Sequence, residues 1–187
     1  MSMNLQLKAI KDSDIKDLIA SPILIEILEN EQIDPECVDV EEKYGILPED
    51  IADYSSWQPQ EKVDRLDLEG AFVSLDYLLT GRNKSRAHYP YNFLTANHRI
   101  VTEMGWGPVN VYHSEEVKEI ANALESLEES ILIEEFDPQV YIEQKIYPRH
   151  YKWQKDDIYS MLNQLKTITS FLKKAVNDGK GMYTLVV

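Results

Sequence analysis

The chain has 187 residues, 33 of them acidic and 19 basic, for a formal net charge of −14 at pH 7. A field of that sign repels phosphate backbones and speaks against general nucleic-acid binding, and a hydrophobic share of 43% is well above what disorder allows. The single cysteine, Cys37, excludes an internal disulfide and brings no partner ligands for zinc.

The length predicts one domain over residues 1–187. Met1 to Asp14 has no apolar run behind a basic head, so no signal peptide is expected. The most apolar stretch, Pro22 to Leu28, is interrupted by Glu26 and is far too short to span a bilayer. Together these features lead to the expectation of a cytoplasmic protein without a membrane segment.

Asn4 to Ile10 alternates, with Leu5, Leu7 and Ala9 on one side and Asn4, Gln6 and Lys8 on the other, the period of a half-buried strand. Asp12 or Ser13 caps a short helix carrying Ile15, Leu18 and Ile19. Ser21-Pro22 starts another, with Ile23, Leu24, Ile27 and Leu28 as its buried stripe. Between Glu26 and Asp53 stand eleven acids and one base, Lys43, so this segment holds −10 of the net charge. Scattered apolar residues such as Val38, Tyr44, Leu47 and Ile51 mark it as an ordered, partly helical acidic excursion within residues 26–60.

Trp57-Gln58-Pro59 is a break. From Val63 through Leu79 apolar residues recur at helical spacing, and Gly81 suits a left-handed helix end. Arg82 to Arg99 has little periodicity and reads as a loop, and Met104 to Pro108 as a turn cluster. Val109, Val111 and His113 alternate as a short strand. Ser114 caps a helix whose inner face is Val117, Ile120, Ala121, Leu124 and Leu127, and Asp137-Pro138 opens one running to about Lys145. The strongest periodicity spans Asp156 to Asn177, with Ile158, Met161, Leu162, Leu165, Ile168, Leu172, Ala175 and Val176 on one stripe. Met182 to Val187, apolar on both sides, predicts a strand inside the sheet and covered on both faces. The class that follows is α+β: a small, largely antiparallel sheet packed by several helices, including one long C-terminal helix.

Three blocks carry a family resemblance. Leu66 to Gly81, closing on Leu79-Thr80-Gly81, resembles a helix of the YfbM-like bacterial proteins. Gly107-Pro108 with Tyr112 and Ser114 to Val117 is similar to that family's second block, and Ile146-Tyr147-Pro148 with the long final helix and last strand to its third. The first block departs in having Gly70-Ala71 where a bulky aromatic is common. The resemblance spans the whole chain and implies an α+β fold. It brings no catalytic residues, because the family is a domain of unknown function.

Two functional expectations follow. The first is a non-catalytic protein-binding module, of the inhibitor or immunity type, whose acidic surface draws a basic protein partner. The second is a small-molecule-binding domain or enzyme acting on an anionic ligand through residues 82–108. No acid occurs between Tyr77 and Thr102, while Arg82, Lys84, Arg86, His88, His98 and Arg99 interleave with tyrosines. Arginine forks pair with phosphates or carboxylates and rings stack on bases, so Arg86, His98, Arg99, Trp106 and Tyr112 are the candidate ligand contacts. Glu103 is the candidate acid or base. Against this, glycines in 105–108 supply turn geometry, and the cations could pair with the acidic segment. The histidines lie ten or more residues apart, so neither a metal site nor a cofactor is expected.

Overall fold

The computed structural model describes residues 4–30, 40–70, 72–81, 84–94, 99–104 and 107–187. Cys37 and the part of the acidic segment between residues 31 and 39 lie outside the described residues. Five strands, β1 (Leu5–Lys11), β2 (Asp64–Leu68), β3 (Ile100–Met104), β4 (Gly107–Tyr112) and β5 (Lys180–Val186), form one sheet in the order β2-β1-β5-β4-β3. Each neighbouring pair is antiparallel. The fold is α+β, as expected.

The strand predicted between Met182 and Val187 is the middle of the sheet. It pairs along its whole length with β1, from Leu5 opposite Val186 to Lys11 opposite Lys180. On its other edge Asn110, Val111 and Tyr112 face Thr184, Tyr183 and Met182. Met182 enters the larger core on one face, and Tyr183 and Leu185 the smaller core on the other. A strand covered on both faces has no solvent side, so its sequence has no polar repeat.

Helices cover both faces. On one lie α1 (Asp12–Ala20), α2 (Ile23–Asn30), α3 (Val40–Tyr44) and α4 (Ile51–Ser55). On the other lie α5 (Phe72–Thr80), α6 (Ser114–Glu125), α7 (Glu129–Glu135), α8 (Pro138–Glu143) and α9 (Asp157–Asn177). The buried side of α9 is the predicted stripe: Ile158, Met161, Leu162, Leu165, Ile168, Leu172 and Ala175. It packs with α6 and with Leu5, Leu7 and Ala9 of β1 in the larger core. Among the described residues no helix is long and apolar enough to cross a membrane.

Several local expectations give way to tertiary pairing. The helix expected from Val63 divides into β2, a turn at Glu69-Gly70, and α5. Asp64 to Leu68 fits a period of two as well as one of 3.6, and the free edge of β1 decides for the strand. β3 follows the aperiodic stretch that ends at Arg99 and forms because β4 gives it a partner, with a bulge between Ile100 and Thr102. The polar side of β1 is also not solvent-facing: Gln6 and Lys8 are only 5% and 7% exposed. Lys8 pairs with Glu29 of α2, which also accepts the Tyr183 hydroxyl at 2.7 Å. His113, not Ser114, is the residue that precedes α6, its N–H donating to the Glu116 carboxylate at 2.7 Å. Ser114 instead donates from its N–H and hydroxyl to Asp12, at 2.8 and 2.6 Å. Among the described residues left-handed backbone occurs at Gly45, Lys145 and Gly179, not at Gly81. Gly81 is small for another reason, since a Cβ there would stand 2.5 Å from the Tyr77 ring and 2.8 Å from its carbonyl oxygen.

Candidate functional site

Between α8 and α9 the chain runs through Tyr147-Pro148-Arg149-His150-Tyr151-Lys152-Trp153. The Tyr147–Pro148 peptide is cis. This loop faces the start of β1, the Glu69-Gly70 turn and the first turns of α9, and encloses a cleft of about 510 Å³. That size lies within the ordinary range for small-molecule sites.

The walls are held by aromatic packing that reaches the core. Tyr77 meets Tyr141 edge-on at 5.2 Å between centroids, Tyr141 meets Trp153 at 5.0 Å, and Trp153 meets Tyr151 at 4.9 Å with planes at 75°. Phe136 packs against both Tyr141 and Trp153. Tyr141 is itself fixed, with its hydroxyl donating to the Ser74 carbonyl at 3.3 Å. The inner wall is therefore rigid, while Tyr151, 48% exposed, forms the outer lip. Opposite, Tyr147 lies against Gly70, where a Cβ would be 2.4 Å from its ring. The departure of Gly70 from the family pattern thus has a physical reason: Tyr147 fills the space from across the cleft.

Asp157 ties the loop to α9. One carboxylate oxygen accepts the Tyr151 hydroxyl at 2.9 Å and the other the Gln154 N–H at 2.7 Å. Each oxygen keeps a further lone-pair site. The bond to Asp157 raises the Tyr151 phenol above its ordinary pKa. Glu69 is the second charged group in the lining. Two buried polar atoms of lining residues, Trp153 Nε1 and Asn4 Oδ1, have no hydrogen-bond partner among the described residues.

The residues singled out between 82 and 108 are placed differently. Arg86 is 5% exposed and its guanidinium pairs with Glu135 of α7. Arg99 lies at the surface, with Nη2 3.8 Å from Glu116 of α6. The two arginines are thus drawn to different helices, and neither of these partners belongs to the acidic segment. Tyr112 is fully buried in the larger core, with its hydroxyl donating to the Phe93 carbonyl at 2.9 Å. Burial, then the charges of Glu116 and Asp76, push its pKa well up. Glu103 pairs through its backbone with Pro108 in the β3–β4 ladder, but its side chain lies outside the described residues, as do His98 and Trp106. Lys43, the one base of the acidic segment, joins Glu26 at 2.6 Å within that segment. Among the described residues no group of three or more His, Cys, Asp or Glu is placed to hold a metal ion.

Tyr147, Tyr151, Trp153 and Asp157 escape a reading based on periodicity, because none belongs to an apolar stripe. The available signal is density. Three large rings and a proline within seven residues, between two helices, exceed what a plain connection needs.

A family model described as a domain of unknown function (DUF1877) matches residues 1–185. Among solved structures, the crystal structure of a protein of unknown function, YfbM from Escherichia coli, is similar to this chain with a TM-score of 0.65 at 17% identity, over 100% of each chain. At that identity the likeness shows the fold alone. No curated protein matches the sequence.

Proposed function

Since the chain belongs to the DUF1877 family, whose description names no reaction, we propose from its own geometry that it is a non-catalytic binding module with the aromatic cleft as its recognition site. One observation carries this: Trp153, braced by Tyr141, and the exposed ring of Tyr151 meet edge-on as adjoining walls of a cleft of ligand size. Asp157 supports a positioning role, because both its oxygens already accept bonds that shape the loop. The acidic surface acts at longer range. Glu41, Glu42, Glu49, Asp50 and Asp53 are exposed, and such a field steers a basic partner and screens with salt.

The alternative, an anionic ligand held at residues 82–108, has less to draw on. Of its candidate cations, Arg86 is neutralised by Glu135 and Arg99 stands near Glu116.

A thermal-shift screen of cationic, neutral and anionic small molecules on the wild type and on Tyr151→Ala tests the assignment. A ligand at 100 times its Kd adds about 2.7 kcal/mol of stability. The expected result is stabilisation of the wild type by at least one class, lost in Tyr151→Ala. Stabilisation by anions alone, lost instead in Arg99→Ala, would move the site to residues 82–108. A flat screen would count against any small-molecule site.

A further inference from the structure

We infer that the cleft takes a small organic ammonium ion. The inference rests on the cleft being the recognition site and adds the class of its ligand. The charged side chains in the lining are Glu69 and Asp157, both acidic. They sit in a molecule whose net charge is −14, so the charge of the lining and that of the whole chain have the same sign and favour a cation. An anion would enter against both.

The aromatic walls suit the same ligand. A cation within about 6 Å of a ring centroid is attracted by the ring's negative face, most strongly for tryptophan, and quaternary ammonium groups are recognised this way. Trp153 and Tyr151, with planes at 75°, form two walls of a corner, and Tyr147 adds a third ring to the lining. A strongly hydrated metal ion gains little from such walls. An alkylated ammonium presents both charge and apolar surface, and the side chain of Met161 in the lining meets that surface.

Two features oppose a cation and are weaker. The N-terminal end of α9 carries positive partial charge, but Asp157 stands in that first turn and answers it. Arg149 and His150 belong to an adjoining depression on the same loop, where they line it with Tyr147, Pro148 and Tyr151. Lys152 and Lys155 are exposed on the same loop, and none of these four residues lines the cleft itself.

The test uses two cations, choline and putrescine, and one neutral control, 3,3-dimethyl-1-butanol, which has the shape of choline with carbon in place of the charged nitrogen. The readout is the Trp153 indole N–H resonance, assigned by its loss in Trp153→Phe. At least one cation should shift it saturably, and the neutral control should bind several-fold more weakly than choline. Glu69→Gln, at an exposed position, should weaken cation binding about 2–5-fold, and Tyr151→Ala about 2–30-fold. Binding of the control as tight as that of choline would overturn the ammonium assignment while leaving the cleft as the site. So would a neutral sugar that shifts Trp153 when neither cation does. No response to either cation, or a response unchanged in both variants, would overturn it outright. The thermal-shift screen on Tyr151→Ala then decides separately whether the cleft binds anything.

Discussion

Residues 84–104 and 147–157 are made of similar material. Each has tyrosines beside a proline, each has exposed cations, and each contains a cis Tyr–Pro peptide, Tyr89–Pro90 in the first and Tyr147–Pro148 in the second. In the first, polar groups are used to attach the segment to the body. Arg86 reaches α7, Tyr89 donates to the Glu116 carbonyl at 3.1 Å, and Arg99 stands beside the Glu116 carboxylate. In the second, the rings brace one another and the hydrogen bonds close within the segment, from Tyr151 and Gln154 to Asp157. That closure leaves a cleft open. A segment's composition therefore says which interactions it can make, while the elements beside it decide whether those interactions remain available to a ligand.

The largest test of this contrast is Arg86→Ala. If Arg86 is structural, its loss takes a buried cation away from the Glu135 carboxylate in a partly buried place and costs about 2–4 kcal/mol, below the full range for a wholly buried pair because Glu135 retains some solvent. Urea denaturation measures it, and a change within about 0.5 kcal/mol would return Arg86 to the list of ligand contacts. Next is Tyr112→Phe, expected to cost about 1–2 kcal/mol because the Phe93 carbonyl loses a buried donor. An unchanged stability would mean that this hydroxyl is free for other work.

A control from outside both segments is smaller and is read from pH. Asp64 is held below the usual carboxylate range by hydrogen bonds from Lys174 and Lys180. Its folded pKa is depressed, so its stabilisation is fully present above the unfolded value of about 4 and is lost as pH falls through the folded value. Asp64→Asn should therefore flatten the acid limb of the Tm–pH curve below about pH 4. A limb of unchanged slope would show that other carboxylates govern acid unfolding. The smallest effect is expected from Tyr151→Phe, which removes an exposed hydrogen bond and should leave Tm within about 2 °C. A larger fall would make the loop part of the core rather than the rim of a cleft.

What could be read from the chain without coordinates follows how local each cause is. α1, α9 and β5 depend on patterns within their own residues, and their expected spans agree with the structure to within two residues. β2 depends on a partner far along the chain, so the helical spacing of Val63 to Leu79 misleads over its first third, while β3 depends on its pairing with the neighbouring β4 and not on a period of its own. The buried Lys8 could not be foreseen either, since its burial depends on Glu29 arriving from α2. The cleft was the least legible part. It is assembled from Asn4, Gly70, Tyr147, Trp153 and Asp157, and no spacing rule connects positions so far apart. Gly70 departs from a family pattern for a reason that only the fold supplies, since Tyr147 occupies the space beside it.

The pairing of β1 with β5 also has a mechanical consequence. Asn4 and Val187 exchange two backbone hydrogen bonds, at 2.9 and 2.8 Å, and the ladder continues inward from them to Lys11 and Lys180. A force that pulls residues 4 and 187 apart acts across the ladder rather than along it, so the bonds are loaded singly and open like a zipper. The most deeply placed strand pair is then the first to part under tension, and the domain should yield at low force even though the same pair is shielded on both faces from solvent. Handles attached within the ladder's far end, at Lys11 and Lys180, would reverse only the direction in which the zipper runs.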